Sequence, residues 1–144
     1  MIFQRVNRTD PERVFQVMQA NEASIAADDV VQLELTAASV DGVKIVQPNT
    51  GELNATVGIA DAAIANGSYG LVQIYGYRST SRVLMTGTSL TLGVALGPVA
   101  GSDMLASNAS IAPSYMPAFV LLESASSAPG ADSTVSKKVF IRCM

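Results

Sequence analysis

From residue 30 to residue 35 apolar and polar side chains alternate strictly: Val31, Leu33 and Leu35 fall on one side of an extended chain, Gln32 and Glu34 on the other. The pattern predicts a half-buried strand. Asp41-Gly42 follows, a pair that accepts the positive φ of a tight turn, and residues 43–47 read as the returning strand of a hairpin, ended by Pro48 and Gly51. The strongest signal spans residues 69–78, where Tyr69, Leu71, Gln73, Tyr75 and Tyr77 alternate with Gly70, Val72, Ile74 and Gly76. That predicts a central strand covered on both faces. Shorter strands are expected at 55–60, 82–85, 91–96, 104–106, 118–123 and 138–143, each bounded by Gly, Pro, Ser or Asn. No helical crossover of about twelve residues separates them, so the spacing favours an all-β, mainly antiparallel barrel or sandwich with little helix over a parallel sheet.

Residues 9–21 fit two elements. Thr9 with Glu12 makes a capping box, Pro11 suits a first helical turn, and Val14, Phe15, Val17 and Met18 keep helical spacing. The same stretch is rich in β-formers and precedes a strand, so the residues alone leave helix and strand open. Residues 1–7 carry no core pattern and read as part of an arm that orders against a neighbour. The expected organisation is an N-terminal arm over 1–10 and one β-rich domain over 11–144. One internal echo stands out: Thr56-Val57-Gly58-Ile59-Ala60 and Thr91-Leu92-Gly93-Val94-Ala95 share the pattern Thr, aliphatic, Gly, aliphatic, Ala. It points to two related β-units, since a solenoid needs at least three repeats.

Composition sharpens this picture. The 144 residues are 49% hydrophobic and 15% charged, with a mean hydropathy of +0.32, and the apolar residues are mostly Ala, Val, Leu and Ile interspersed with Thr, Ser and Gly. A chain of this length buries enough surface for a core without metal or disulfide support. No window reaches the roughly 20 apolar residues of a membrane-spanning helix. The N-terminus offers only Ile2 and Phe3 before Gln4, Arg5 and Asn7, so no secretory signal is expected. The net charge of -3, without a block of like charge, argues against a nucleic-acid or anionic-membrane partner. The single cysteine, Cys143, fits synthesis in a reducing cytoplasm.

The chain contains no histidine, which removes the commonest general base and metal ligand and every Ser-His or Cys-His nucleophile. Asp28-Asp29 is the one adjacent acidic pair, best read as turn residues entering the strand at Val30. Cys143 reads as a small apolar residue, and the four Asn-X-Ser/Thr triplets, at 7, 54, 66 and 108, as turn chemistry. Tyr69, Tyr75 and Tyr77 read as core or subunit-interface residues, because tyrosine joins a large apolar body to a hydroxyl that seeks a partner. The chain is expected to be no enzyme and to take no cofactor or metal.

Gly58-Ile59-Ala60, an Ala-rich link, and then Tyr69-Gly70-Leu71-Val72-Gln73-Ile74-Tyr75-Gly76-Tyr77 resemble a signature of the small decoration, or cement, proteins of tailed-bacteriophage capsids. Glu12-Arg13-Val14-Phe15, Ile25-Ala26-Ala27-Asp28-Asp29-Val30-Val31 and Lys137-Lys138-Val139-Phe140-Ile141-Arg142 are similar to the same kind of protein. The resemblance implies a compact β-barrel or β-tulip domain on the outer capsid surface. Its partners would be the major capsid protein and copies of itself, usually as a trimer, in a role without reaction or cofactor and with the virion as its location. It tips residues 13–19 towards a strand and lets residues 1–10 reach a neighbouring subunit. Phe3, Arg5 and Arg8 in the arm, with Tyr69, Tyr75 and Tyr77, are the expected subunit or capsid contacts. The Ser/Ala/Pro-rich stretch 107–118 and the loop 124–133 depart from the family pattern. Alternative readings are a tail or head-tail connector protein and a small ligand-binding barrel, the latter requiring an interior cavity of some hundreds of Å³.

Overall fold

The computed structural model describes residues 12–21, 23–36, 41–87, 89–107, 118–126 and 132–143. The expected arm over 1–10 lies outside them, and so does most of the stretch 107–118. The fold is all-β. Its strands are β1 (Arg13–Ala20), β2 (Val30–Leu33), β3 (Lys44–Val46), β4 (Thr56–Ala60), β5 (Tyr69–Arg78), β6 (Arg82–Thr86), β7 (Ala95–Pro98), β8 (Leu105–Ser107), β9 (Phe119–Leu121), β10 (Asp132–Ser136) and β11 (Val139–Arg142), with one 3₁₀ turn at Leu53–Ala55. Residues 13–20 therefore form a strand: their β-branched and aromatic side chains pair along most of β5.

The strands join in one continuous sheet in the order β1-β3-β2-β4-β5-β11-β9-β7-β8-β6-β10, and β1 also pairs β5. That last pairing closes β1, β3, β2, β4 and β5 into a five-stranded barrel. The second half of the chain copies this plan. β1 and β3 are parallel, as are β6 and β8; β2 runs antiparallel to β3 and β4, as β7 does to β8 and β9. β10 pairs β6 and β11 pairs β9, so together they stand where β5 stands in the first half. Lys137 and Lys138, between them, continue the ladder through Lys137 N–H to the Ser81 carbonyl and Leu122 N–H to the Lys138 carbonyl.

The correspondence extends to single hydrogen bonds. Ile25 and Ile64 exchange reciprocal backbone bonds of 2.9 Å, and Leu90 and Ala125 do the same at 2.8 and 2.9 Å. Ala60 N–H reaches the Asp29 carbonyl as Leu121 N–H reaches that of Val94, and Glu34 N–H reaches the Lys44 carbonyl as Val99 N–H reaches that of Met104. The molecule is a tandem repeat of one β-unit. Two related units agree with the sequence echo, but the echoing residues are not the equivalent ones. Thr56–Ala60 is strand β4, whereas residues 91–94 form a tight turn, with Gly93 at a φ of 86°, before β7 starts at Ala95. The strand expected at 91–96 is displaced for this reason.

The two cores occupy matching positions. Ala20, Ile25, Val31, Ile45, Ala60 and Val72 of the first cluster correspond to Val83, Leu90, Leu96, Leu105, Leu121 and Val139 of the second. Full burial of each Val, Leu or Ile side chain contributes roughly 1.5–3 kcal/mol, and these positions interlock the strands of each ring. Val30 and Ile59 break the division, because they leave the first repeat's interior and join the second cluster. β2 is consequently covered on both faces. The expectation that Gln32 and Glu34 face solvent is corrected: both are buried, with the Gln32 amide bonded to Glu52 and to Asn49 N–H, and Glu34 accepting Thr36 N–H at 2.7 Å. β5 shows the converse correction. Its first half keeps only one covered face, leaving Tyr69 63% and Leu71 47% exposed.

Candidate functional site

Two places carry features that the repeat itself does not require. The first is an apolar outer face of the first barrel. Val17 pairs Leu71 and Gln19 pairs Tyr69 across β1 and β5, and Phe15 stands two residues before Val17 on the same side. Phe15, Val17, Tyr69 and Leu71 are 36–63% exposed. In the second repeat Ser136 and Lys138 occupy the positions of Tyr69 and Leu71 on the ladder, so the backbone plan forms there with polar side chains. Together these side chains form an exposed apolar patch.

The second place is the crossing from one repeat to the other. Arg78 ends β5 and its side chain is only 7% exposed. Its five N–H groups find acceptors: Nε and Nη2 donate to Asp28 Oδ1 at 3.1 and 2.6 Å, Nη1 to Asp61 Oδ1 at 3.1 Å and Gln73 Oε1 at 3.3 Å, and Nη2 to the Ala60 carbonyl at 2.9 Å. The Thr80 hydroxyl donates to Asp28 Oδ1 at 2.9 Å. Arg82, at the start of β6, donates to Asp29 Oδ1 at 2.9 Å and to Asp103 Oδ2, while Asp29 Oδ2 accepts Ala26 N–H at 2.7 Å. Four carboxylates thus surround two guanidiniums. Burial is the main reason the Asp29 carboxyl is held above its ordinary 3.8, and the hydrogen bond to Asp29 is the main reason Arg82 is held above its ordinary value.

Asp28-Asp29 does lie in a turn, as the sequence indicated, yet both carboxylates also enter the joint. Alternation on a strand would have separated them. The left-handed Asp28, at a φ of 68°, aims its side chain back at Arg78 instead. Gln73 was legible only as a strand residue. Buried, it donates Nε2 to the Tyr75 and Tyr77 carbonyls at 3.2 and 2.9 Å, on either side of the positive-φ Gly76.

The sequence-derived contact residues separate. Phe3, Arg5 and Arg8 lie outside the described residues. Tyr69 sits on the apolar face, whereas Tyr75 is half-buried with its ring edge-on to Phe140 at 5.3 Å, and Tyr77 is half-buried beyond Gly76. Cys143 is packed against the second core, and burial pushes its thiol up to about 12, a poor setting for a nucleophile. Among the described residues no group of His, Cys, Asp and Glu is arranged to hold a metal ion, and no helix is long and apolar enough to cross a membrane. Both barrel interiors are filled by apolar side chains, with Phe119 the largest of those fully buried. The clefts, including one of 190 Å³ beside Asp29 and one of 430 Å³ beside Arg142 and Cys143, open at the surface.

These features define a tandem β-barrel protein with an exposed apolar face. No protein-family model matches the chain, and comparison with curated proteins finds no match.

Proposed function

We propose that this chain is a structural virion protein that binds the outer surface of a tailed-phage capsid and stabilises contacts between major capsid protein subunits. It acts as a homo-oligomer, a trimer in the arrangement its sequence resemblance implies, and performs no reaction. The observation that carries this reading is the face formed by Phe15, Val17, Tyr69 and Leu71, open on the first repeat and replaced by Ser136 and Lys138 at the matching β5 positions of the second. A protein that needs no external contact gains nothing from those side chains, since the same ladder forms without them. Tyr69 and Leu71 also belong to the stretch that carries the resemblance. A cement protein repeats a modest contact many times around a shell, so a small apolar face on a rigid barrel is sufficient.

The test is the mass of the protein in solution followed by co-sedimentation with undecorated phage capsids, for the wild type and a Tyr69→Ser/Leu71→Lys variant. Stoichiometric binding by an oligomer, lost in the variant while its fold persists, supports the reading. A monomer that ignores capsids overturns it.

A further inference from the structure

The joint between the repeats holds more charge than its turns need. In the second repeat the turn equivalent to residues 26–29 is built by Thr91, Leu92, Gly93 and Val94, with the same hydrogen bonds and no carboxylate. Gly93 also takes the positive φ at less cost than Asp28. The acids of the first turn therefore serve the joint. Asp29 comes from the first repeat and Asp103 from the turn between β7 and β8 of the second, and Arg82 Nη1 bonds both. Beside them Val30 N–H donates to the Asp103 carbonyl at 3.0 Å, a backbone bond that spans the two repeats.

We propose that Asp29, Arg82 and Asp103 form a proton-operated clasp: on acidification one proton enters between the two carboxylates, links them by a carboxyl–carboxylate hydrogen bond beside the guanidinium, and tightens the joint between the repeats. The charged and polar groups that face it are Asp28 from the same turn, Arg78 from β5, Thr80 from the connection, Asp61 from the turn after β4, and Arg82 itself from β6. Arg78 is fully engaged by Asp28, Asp61, Gln73 and Ala60, so Arg82 alone is left to balance Asp29 and Asp103. The Asp29–Arg82–Asp103 triad carries one surplus negative charge, the joint as a whole carries two, and Asp29 is the most buried of its carboxylates. Two carboxylates on one site favour uptake of a proton by one of them. Asp29 is the member displaced upward, with Asp103 among the causes. The chain has no histidine, so any response between pH 4 and 7 falls to carboxylates of this kind.

The sign follows from the upward displacement. A carboxyl that binds its proton more readily when folded adds stability as pH falls through its folded value, and loses that contribution as pH rises again. The clasp is independent of the capsid reading and is tested on the free full-length chain. Carboxyl ¹³C titration by NMR should place Asp29 above 3.8 in the wild type and closer to it in Asp103→Asn. The melting temperature of the wild type relative to Asp103→Asn should rise between pH 7 and pH 4. If Asp103→Asn does not fold, protection of the Val30 amide in the wild type, corrected for intrinsic exchange, replaces it and should increase over the same range. Titration of Asp29 at or below 3.8, parallel melting profiles, or unchanged Val30 protection each overturns the clasp.

Discussion

Asp28 and Gly93 occupy the same place in the two repeats: each has a positive φ, 68° and 86°, and each donates its backbone N–H to the matching strand, Asp28 to the Ala60 carbonyl at 3.0 Å and Gly93 to that of Leu121 at 2.8 Å. One turn is thus met by two residue types with different obligations. Glycine satisfies the backbone alone, whereas aspartate accepts a left-handed strain of about 1 kcal/mol to place a carboxylate on a buried arginine.

Asp28→Gly separates the two obligations. The backbone relaxes, but Arg78 loses the acceptor of its Nε and of one Nη2 hydrogen, and Thr80 loses its own. Removing one partner of a nearly buried ion pair costs about 3 kcal/mol against the roughly 1 kcal/mol regained at φ, so urea denaturation should show a net loss of about 2 kcal/mol.

Ser81 offers a change in the opposite direction. It stands where Met18 stands in the first core, fully buried, and its hydroxyl has no hydrogen-bond partner among the described residues. Ser81→Ala removes a desolvated polar group with little loss of volume and should raise stability by about 1 kcal/mol, read as a higher denaturation midpoint at unchanged m-value.

Gly76 marks the point where β5 passes from one barrel to the next. Its φ is 99°, and a Cβ there would lie 1.8 Å from the Glu12 carbonyl oxygen, backbone that cannot swing aside. Gly76→Ala should cost about 3 kcal/mol or more, seen as a lowered melting temperature, and should slow the amide exchange of neither barrel.

Glu34 gives a pH dependence opposite to that of the clasp. Hydrogen bonds from Thr36, with a smaller contribution from Asn21, hold its carboxyl below the ordinary 4.5. Such a group contributes stability that is fully present above pH 4.5 and is lost as pH falls through the lower folded value. Glu34→Gln should therefore be less stable than the wild type at pH 7 and converge on it as pH falls through the lowered folded value, which melting curves recorded down through the acid range would register.

The strand list was largely legible because it rests on local facts. Alternation marked the segments around β2 and β5, flanking Gly, Pro, Ser or Asn residues marked those around β6 and β11, and Asp41-Gly42 marked a real turn, with Gly42 at a φ of 73° and the Asp41 carboxylate accepting the Val43 and Lys44 N–H groups. Tyr69, expected in the core or at a subunit interface for its chemistry, lies exposed on β5 rather than in the core. The repeat was not legible. Equivalent core pairs such as Ala20 and Val83, or Ala60 and Leu121, share burial without sharing identity, and of the seven residue pairs that match Val31, Ile45, Ile64, Val72, Ile74, Gly58 and Asp61 only Val72 with Val139 and Ile74 with Ile141 are the same residue.

What the sequence determined by itself is therefore an all-β chain, its approximate strands and its turn glycines, since backbone φ and side-chain alternation are properties of neighbours along the chain. The tertiary structure decided which residues are inside. Gln32 and Glu34 are buried because chain distant in sequence returns over them, with Asn49 and Glu52 at the Gln32 amide and Asn21 at the Glu34 carboxylate, and Tyr69 and Leu71 are exposed because nothing among the described residues covers theirs. It also decided that Asp28, Asp29, Asp61, Arg78, Arg82 and Asp103, spread along the chain, meet at one joint. Charges far apart in sequence acquire a common environment only when strand order brings their turns together.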